Sequence, residues 1–112
     1  MIIQIFQYIA CVLTVLTGLL ALLAPGRTVN FTGLTPQGGR GITEIRSVLG
    51  GMFIALGVAP FFLGDVAFTV LGISYLGIGI VRLPSIFLDK SSTQSNWISV
   101  AVEFVLGIIL VL

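Results

Sequence analysis

Four apolar runs, each about one bilayer crossing long and parted by proline, glycine and short polar stretches, constrain this chain more than any other feature. Residues 2 to 24, IIQIFQYIACVLTVLTGLLALLA, are long enough at 1.5 Å per residue to cross the hydrocarbon with slight tilt. Further runs cover about 42–62, 66–88 and 97–112. A chain in lipid must satisfy its backbone hydrogen bonds within each segment, which leaves the helix as the element such runs can form. The expected fold is all-α: an integral membrane, up-and-down four-helix bundle, forming a single transmembrane domain over 1–112 with an interfacial loop at 25–41. Only 8% of the 112 residues are charged, against roughly 25% in soluble domains, and a mean hydropathy of +1.21 makes lipid the solvent. A cleaved signal peptide competes for the first run. It fits poorly, since no basic residue precedes the run and no clear A-x-A site follows it.

What is missing excludes several functions. A net charge of +1 offers no basic surface to nucleic acid. The absence of histidine removes the commonest haem and transition-metal ligand and the usual proton shuttle at neutral pH. Cys11 stands alone, so it forms neither an intrachain disulfide nor a thiol cluster, and within an apolar helix it reads as a small buried hydrophobe. No metal site, cofactor or catalytic residue is expected.

Polar residues on the apolar helices say which faces meet protein. In the first span Gln4, Gln7, Cys11, Thr14 and Gly18 fall within an arc of about 80°. That face suits interhelical hydrogen bonding; lining a polar pathway is the competing reading. Pro25-Gly26 ends the span. The following loop contains Gly38-Gly39-Arg40-Gly41, which looks like a phosphate cradle but lacks the Walker lysine and the strand-turn-helix setting.

In the second span Gly51, Ala55 and Ala59 recur every four residues, widened by Gly50, as a small-residue stripe for close helix approach, and Glu44 and Val48 share its face. Pro60 is expected to close or kink this helix, with a tight turn over 61–65. The third span places Gly72, Tyr75, Gly79 and Arg82 on one arc, with Pro84 freeing the Ile80 carbonyl near Arg82. In the fourth, Trp97 anchors the helix at the interface, and Asn96, Ser99, Glu103 and Gly107 share a face.

Charges this scarce carry weight. Arg82 lies about two turns before the third span ends and Glu103 about two turns after the fourth begins, so in a hairpin both sit roughly 9 Å deep and can pair. Glu44 is a further acceptor for the same cluster, while Arg46 projects elsewhere, toward headgroups or a partner. The cluster is either an ion-pair clasp that fixes helix register or a ligand-binding or proton-handling site. Arg27, Arg40, Arg46 and Lys90 all fall on one side, which predicts a multi-pass protein of the cell membrane with both termini outside the cytoplasm.

The run Glu44-Ile45-Arg46 before Gly50-Gly51, an arginine late in helix three and a glutamate early in helix four together resemble the small four-helix bacterial membrane proteins of domain-of-unknown-function family 4345, and distantly the DoxX-like membrane proteins. The resemblance covers nearly the whole chain. It implies a four-helix membrane bundle and brings no activity and no catalytic residues.

The expected function is non-enzymatic: an accessory or assembly subunit held in lipid, docking through its glycine faces against a larger membrane complex or a second copy of itself. The alternative is binding or transport of a small apolar or anionic molecule at Arg82, Glu103 and Glu44, with Tyr75 beside them. A cavity reaching Arg82 would favour it. An enzyme would depend on carboxylate acid-base work by Glu103 or Glu44 alone.

Overall fold

The computed structural model describes residues 1–112 and contains four long helices: α1 (Ile2–Leu23), α2 (Gly38–Leu63), α3 (Asp65–Leu88) and α4 (Gln94–Val111). They run up and down, each packed on its neighbours in sequence, with α1 against α4 completing the bundle. All four are long and apolar enough to cross a membrane.

The stretch expected as a loop is partly helical. A tight turn at Pro25–Thr28 leads into one α-helical turn at Val29–Thr32, and Gly33 ends it at φ +73°, a backbone that glycine adopts without strain. Threonine hydroxyls pin these turns: Thr28 donates to the Pro25 carbonyl at 2.7 Å and Thr32 to the Thr28 carbonyl at 2.7 Å. Helix α2 then starts at Gly38, ahead of the apolar run at 42. Glycine is a poor helix former, so its first turn carries no pattern to announce it. The Thr43 hydroxyl helps hold it by donating to the Gly39 carbonyl at 3.0 Å.

One proline behaves differently from expectation. Pro60 neither closes α2 nor opens a turn over 61–65; its ring is fully buried and the helix continues to Leu63. The reversal into α3 rests on Gly64 alone, at φ +73°, whose N–H reaches back to the Pro60 carbonyl at 3.0 Å. Pro84 stays within α3, as the span over 66–88 requires.

The middle of α2 carries the main departure from ideal geometry, because residues Ile45–Met52 form a π-helix. Its i to i+5 bonding winds the chain more loosely than an α-helix and turns every later residue to a new direction. The inward residues of α2 become Ile45, Gly50, Gly57 and Pro60, while Gly51 and Ala55 face outward. The stripe predicted for helix packing is therefore corrected: Gly50 belongs to the packed face and Gly51 and Ala55 do not.

Glycine sets the distance between helices where they press closest. A Cβ at Gly18 would stand 2.8 Å from the Gly50 carbonyl oxygen, and one at Gly57 would stand 2.9 Å from the Cys11 carbonyl oxygen. The same device recurs between α3 and α4, where a Cβ at Gly72 would meet the Gly107 carbonyl oxygen at 2.9 Å and one at Gly79 the Phe104 ring at 3.1 Å. Between the pairs lies a small apolar core of Ala10, Cys11, Phe68, Leu71, Tyr75 and Leu110. Only 22 of 112 residues are buried, and the outer surface of every helix is Ile, Leu, Val and Phe. In water that much contiguous apolar surface would drive aggregation; in lipid it is solvated.

Candidate functional site: a charged clasp between two helices

The two ionisable residues that the hairpin brings to one depth do meet. Arg82 of α3 donates from Nε to both carboxylate oxygens of Glu103, at 2.9 and 3.0 Å, and from Nη2 to Oε2 at 2.8 Å. This fork-on-carboxylate geometry adds direction to charge and is one that lysine cannot supply. The Glu103 side chain is 9% exposed and Arg82 31%, so the carboxylate is the enclosed partner and the guanidinium the accessible one.

A neutral residue completes the arrangement. Nη1 of Arg82 donates to the Asn96 side-chain carbonyl at 3.0 Å. The Asn96 amide in turn donates to the backbone carbonyl and hydroxyl of Ser91, at 3.0 and 3.1 Å. Thr93 caps the start of α4 by accepting from the Asn96 N–H at 3.3 Å. The clasp thus ties the middle of α4, the end of α3 and their connecting loop into one network. Asn96 shares a face with Glu103, and the spacing of seven residues, two turns on one face, is the sequence signal for its place in the clasp.

Two expected members stand elsewhere. Glu44 is exposed and pairs with Arg40 one turn earlier on the same helix. The early start of α2 supplies that partner, since Arg40 becomes helical and occupies the i, i+4 position. Tyr75 is buried, but its hydroxyl lies 2.5 Å from that of Thr14 on α1. Thr14 already gives its single hydroxyl proton to the Ala10 carbonyl at 2.8 Å, so Tyr75 is the donor in that pair.

The polar arc of α1 is otherwise where expected. Gln7, Cys11, Thr14 and Gly18 are buried, and the Gln7 amide donates across to the Ile109 carbonyl of α4 at 3.1 Å; Gln4 is exposed. Arg46 is exposed and enters no ion pair. Trp97 donates from its indole N–H to Ser92 at 3.0 Å and stacks edge-on against Phe87, with ring centroids 5.8 Å apart. No buried side-chain nitrogen or oxygen lacks a hydrogen-bond partner.

Four helices of lipid-crossing length, two of them joined by the Arg82–Glu103 ion pair, define a small polytopic helical membrane protein. Residues 2–112 match the family described as "Domain of unknown function (DUF4345)". The chain belongs to that family. No curated protein and no solved structure matches it.

Proposed function

We propose that the protein is a non-enzymatic accessory subunit of a membrane complex, in which the Arg82–Glu103 clasp holds the α3–α4 hairpin rigid while α2 docks against a transmembrane helix of a partner subunit in the cell membrane. The observation that carries this reading is the outward direction of Gly51 and Ala55 on α2. A Cβ at Gly51 would meet nothing closer than the Arg46 carbonyl at 4.0 Å, so this small-residue face has no partner within the chain. In lipid, where apolar surface alone gives helices no reason to associate, close backbone approach over small residues is a main source of contact energy.

The clasp supports a structural rather than a catalytic part for the charges. Glu103 has both oxygens engaged and Arg82 has every nitrogen engaged at least once. Transport of an anion draws less support. Glu44 is not beside Arg82, and the exposed space next to Arg82 is bordered by Asp89, which repels an anion.

The test is affinity purification of the tagged full chain from native membranes, comparing the parent with Gly51→Leu and with Ile73→Ala on the exposed face of α3. The expected result is a stoichiometric membrane partner lost with Gly51→Leu and kept with Ile73→Ala. Recovery of the same partner with all three chains, or recovery of a second copy of this chain alone, would overturn the partner-subunit reading.

A further inference from the structure

Beside the clasp, on the flank that Glu103 leaves open, lies a cleft of about 610 Å³ whose wall includes Ile78, Arg82 and Ser85 of α3 and its C-cap Asp89, with Asn96 and Thr32 opposite. These three helical residues and the cap follow at i, i+4, i+7 and i+11, along a single face running from the membrane interior to the loop. Its chemistry changes along that line. Gly77, Ile78 and Val81 make the deep end apolar; Arg82 and Ser85 make the middle polar; Asp89 closes the loop end.

Each polar group has capacity left over. Guanidinium carries five N–H donors, and Arg82 uses Nε–H and one N–H on each terminal nitrogen, which leaves one on Nη1 and one on Nη2. Asp89 enters neither of the two ion pairs in the chain. It also sits at the C-cap of α3, where unpaired carbonyls already make the potential negative, an unfavourable place for a carboxylate unless a cation joins it. The loop end of the cleft therefore attracts a cation, and the middle offers donors to an acceptor.

We propose that this cleft holds the head of a zwitterionic aminophospholipid, its ammonium against Asp89, a phosphate oxygen on the free N–H groups of Arg82, and the first part of an acyl chain over Gly77, Ile78 and Val81. A simple cation would leave the Arg82 donors unserved. An anionic head would meet Asp89, which no ion pair in the chain balances, and an Arg82 whose charge Glu103 already offsets. Seven residues separate Arg82 from Asp89, about 10 Å along the axis. The arginine shortens that span by reaching toward Asn96 at the loop end, and the amine and phosphate of one head can occupy the gap. The site is independent of the docking reading, since it lies on α3 and the docking face lies on α2.

Native mass spectrometry of the detergent-purified full chain tests it, with dioleoyl phosphatidylethanolamine, dioleoyl phosphatidylglycerol and soluble phosphoethanolamine as probes. The ethanolamine lipid should be retained about tenfold better than the glycerol lipid, a difference of about 1.4 kcal/mol. Asp89→Asn should bring the two lipids level without lowering the unfolding temperature, since Asp89 is exposed and unpaired. Gly77→Leu should block both lipids, because a side chain there meets no protein atom within 4 Å and grows into the cleft. Equal retention of the two lipids by the parent chain would overturn the assignment. So would Asp89→Asn leaving the preference intact, or soluble phosphoethanolamine binding as tightly as the lipid, which would assign the cleft to a free head group instead.

Discussion

Helix α2 and the α3–α4 hairpin are held in the bundle by different physics. The hairpin combines glycine contact at Gly72 and Gly107 with four hydrogen bonds from Arg82 to Glu103 and Asn96. Helix α2 makes no side-chain hydrogen bond to any other helix; its one ion pair, Arg40–Glu44, lies within itself. What attaches it is shape, with the Gly18 backbone against Gly50 and Ile54 and the Gly57 backbone against Cys11 and Val15. Directional bonds fix register because a shift breaks them outright, whereas apolar contact can slide and re-form. The hairpin is therefore the fixed half of the molecule and α2 the half able to change neighbours, which suits α2 as the face offered to a partner.

The comparison breaks most directly at Glu103. Replacing it with Ala leaves a partly enclosed guanidinium without its counter-ion, and the loss should be about 3 kcal/mol of stability in mixed micelles. If the clasp is structural, the double variant Arg82→Met with Glu103→Leu should regain most of that loss, since an apolar pair of similar volume carries no desolvation cost. A double variant as unstable as Glu103→Ala would mean that the charges do something besides hold the helices. Reversible unfolding monitored by circular dichroism checks both.

A shape-held interface should instead fail by overpacking. Gly57→Ala places a methyl 2.7 Å from Val15 Cγ2 and 2.9 Å from the Cys11 carbonyl, and should cost about 2 kcal/mol. Gly51→Ala, six residues away on the same helix, should be neutral or gain up to about 1 kcal/mol from better helix propensity. The contrast also locates what the sequence left illegible. Four spans, the polar arc of α1 and the Arg82–Glu103 pair all follow from a regular helical period, which α1, α3 and α4 keep. In α2 the π-helix at Ile45–Met52 changes that period. A wheel drawn at 3.6 residues per turn therefore puts Gly51 and Ala55 on the packed face, where Gly50 and Gly57 actually stand. No residue in IRSVLGGM announces a π-helix. Equal destabilisation by Gly51→Ala and Gly57→Ala would return α2 to a regular α-helix.

Between these two regimes stands the Thr14–Tyr75 contact, which with the Gln7–Ile109 bond joins the α1–α2 side to the hairpin. Its polarity predicts an asymmetry. Thr14→Val strands a buried Tyr75 O–H without an acceptor and should cost about 1.5 kcal/mol, while Tyr75→Phe removes only an acceptor's second partner and should cost about half as much. The same unfolding assay resolves the two. Equal losses would mean that the threonine proton, not the tyrosine proton, lies between them.

The smallest effect belongs to the ion pair that the early start of α2 creates. Arg40 and Glu44 form an ion pair one helical turn apart, with side chains 78% and 53% exposed. Exposed i, i+4 pairs contribute about 0.3–0.5 kcal/mol, and the entropy of holding two long side chains together offsets much of that. Arg40→Ala should shift stability by no more than this and leave the α3–α4 clasp untouched. A loss several times larger would mean that Glu44, released from Arg40, disturbs a neighbour that the fold places out of its reach. The carboxylate that stands beside Gly50-Gly51 in the chain would then belong to the charge cluster after all, and the division between a shape-held α2 and a charge-held hairpin would fail at its sharpest point.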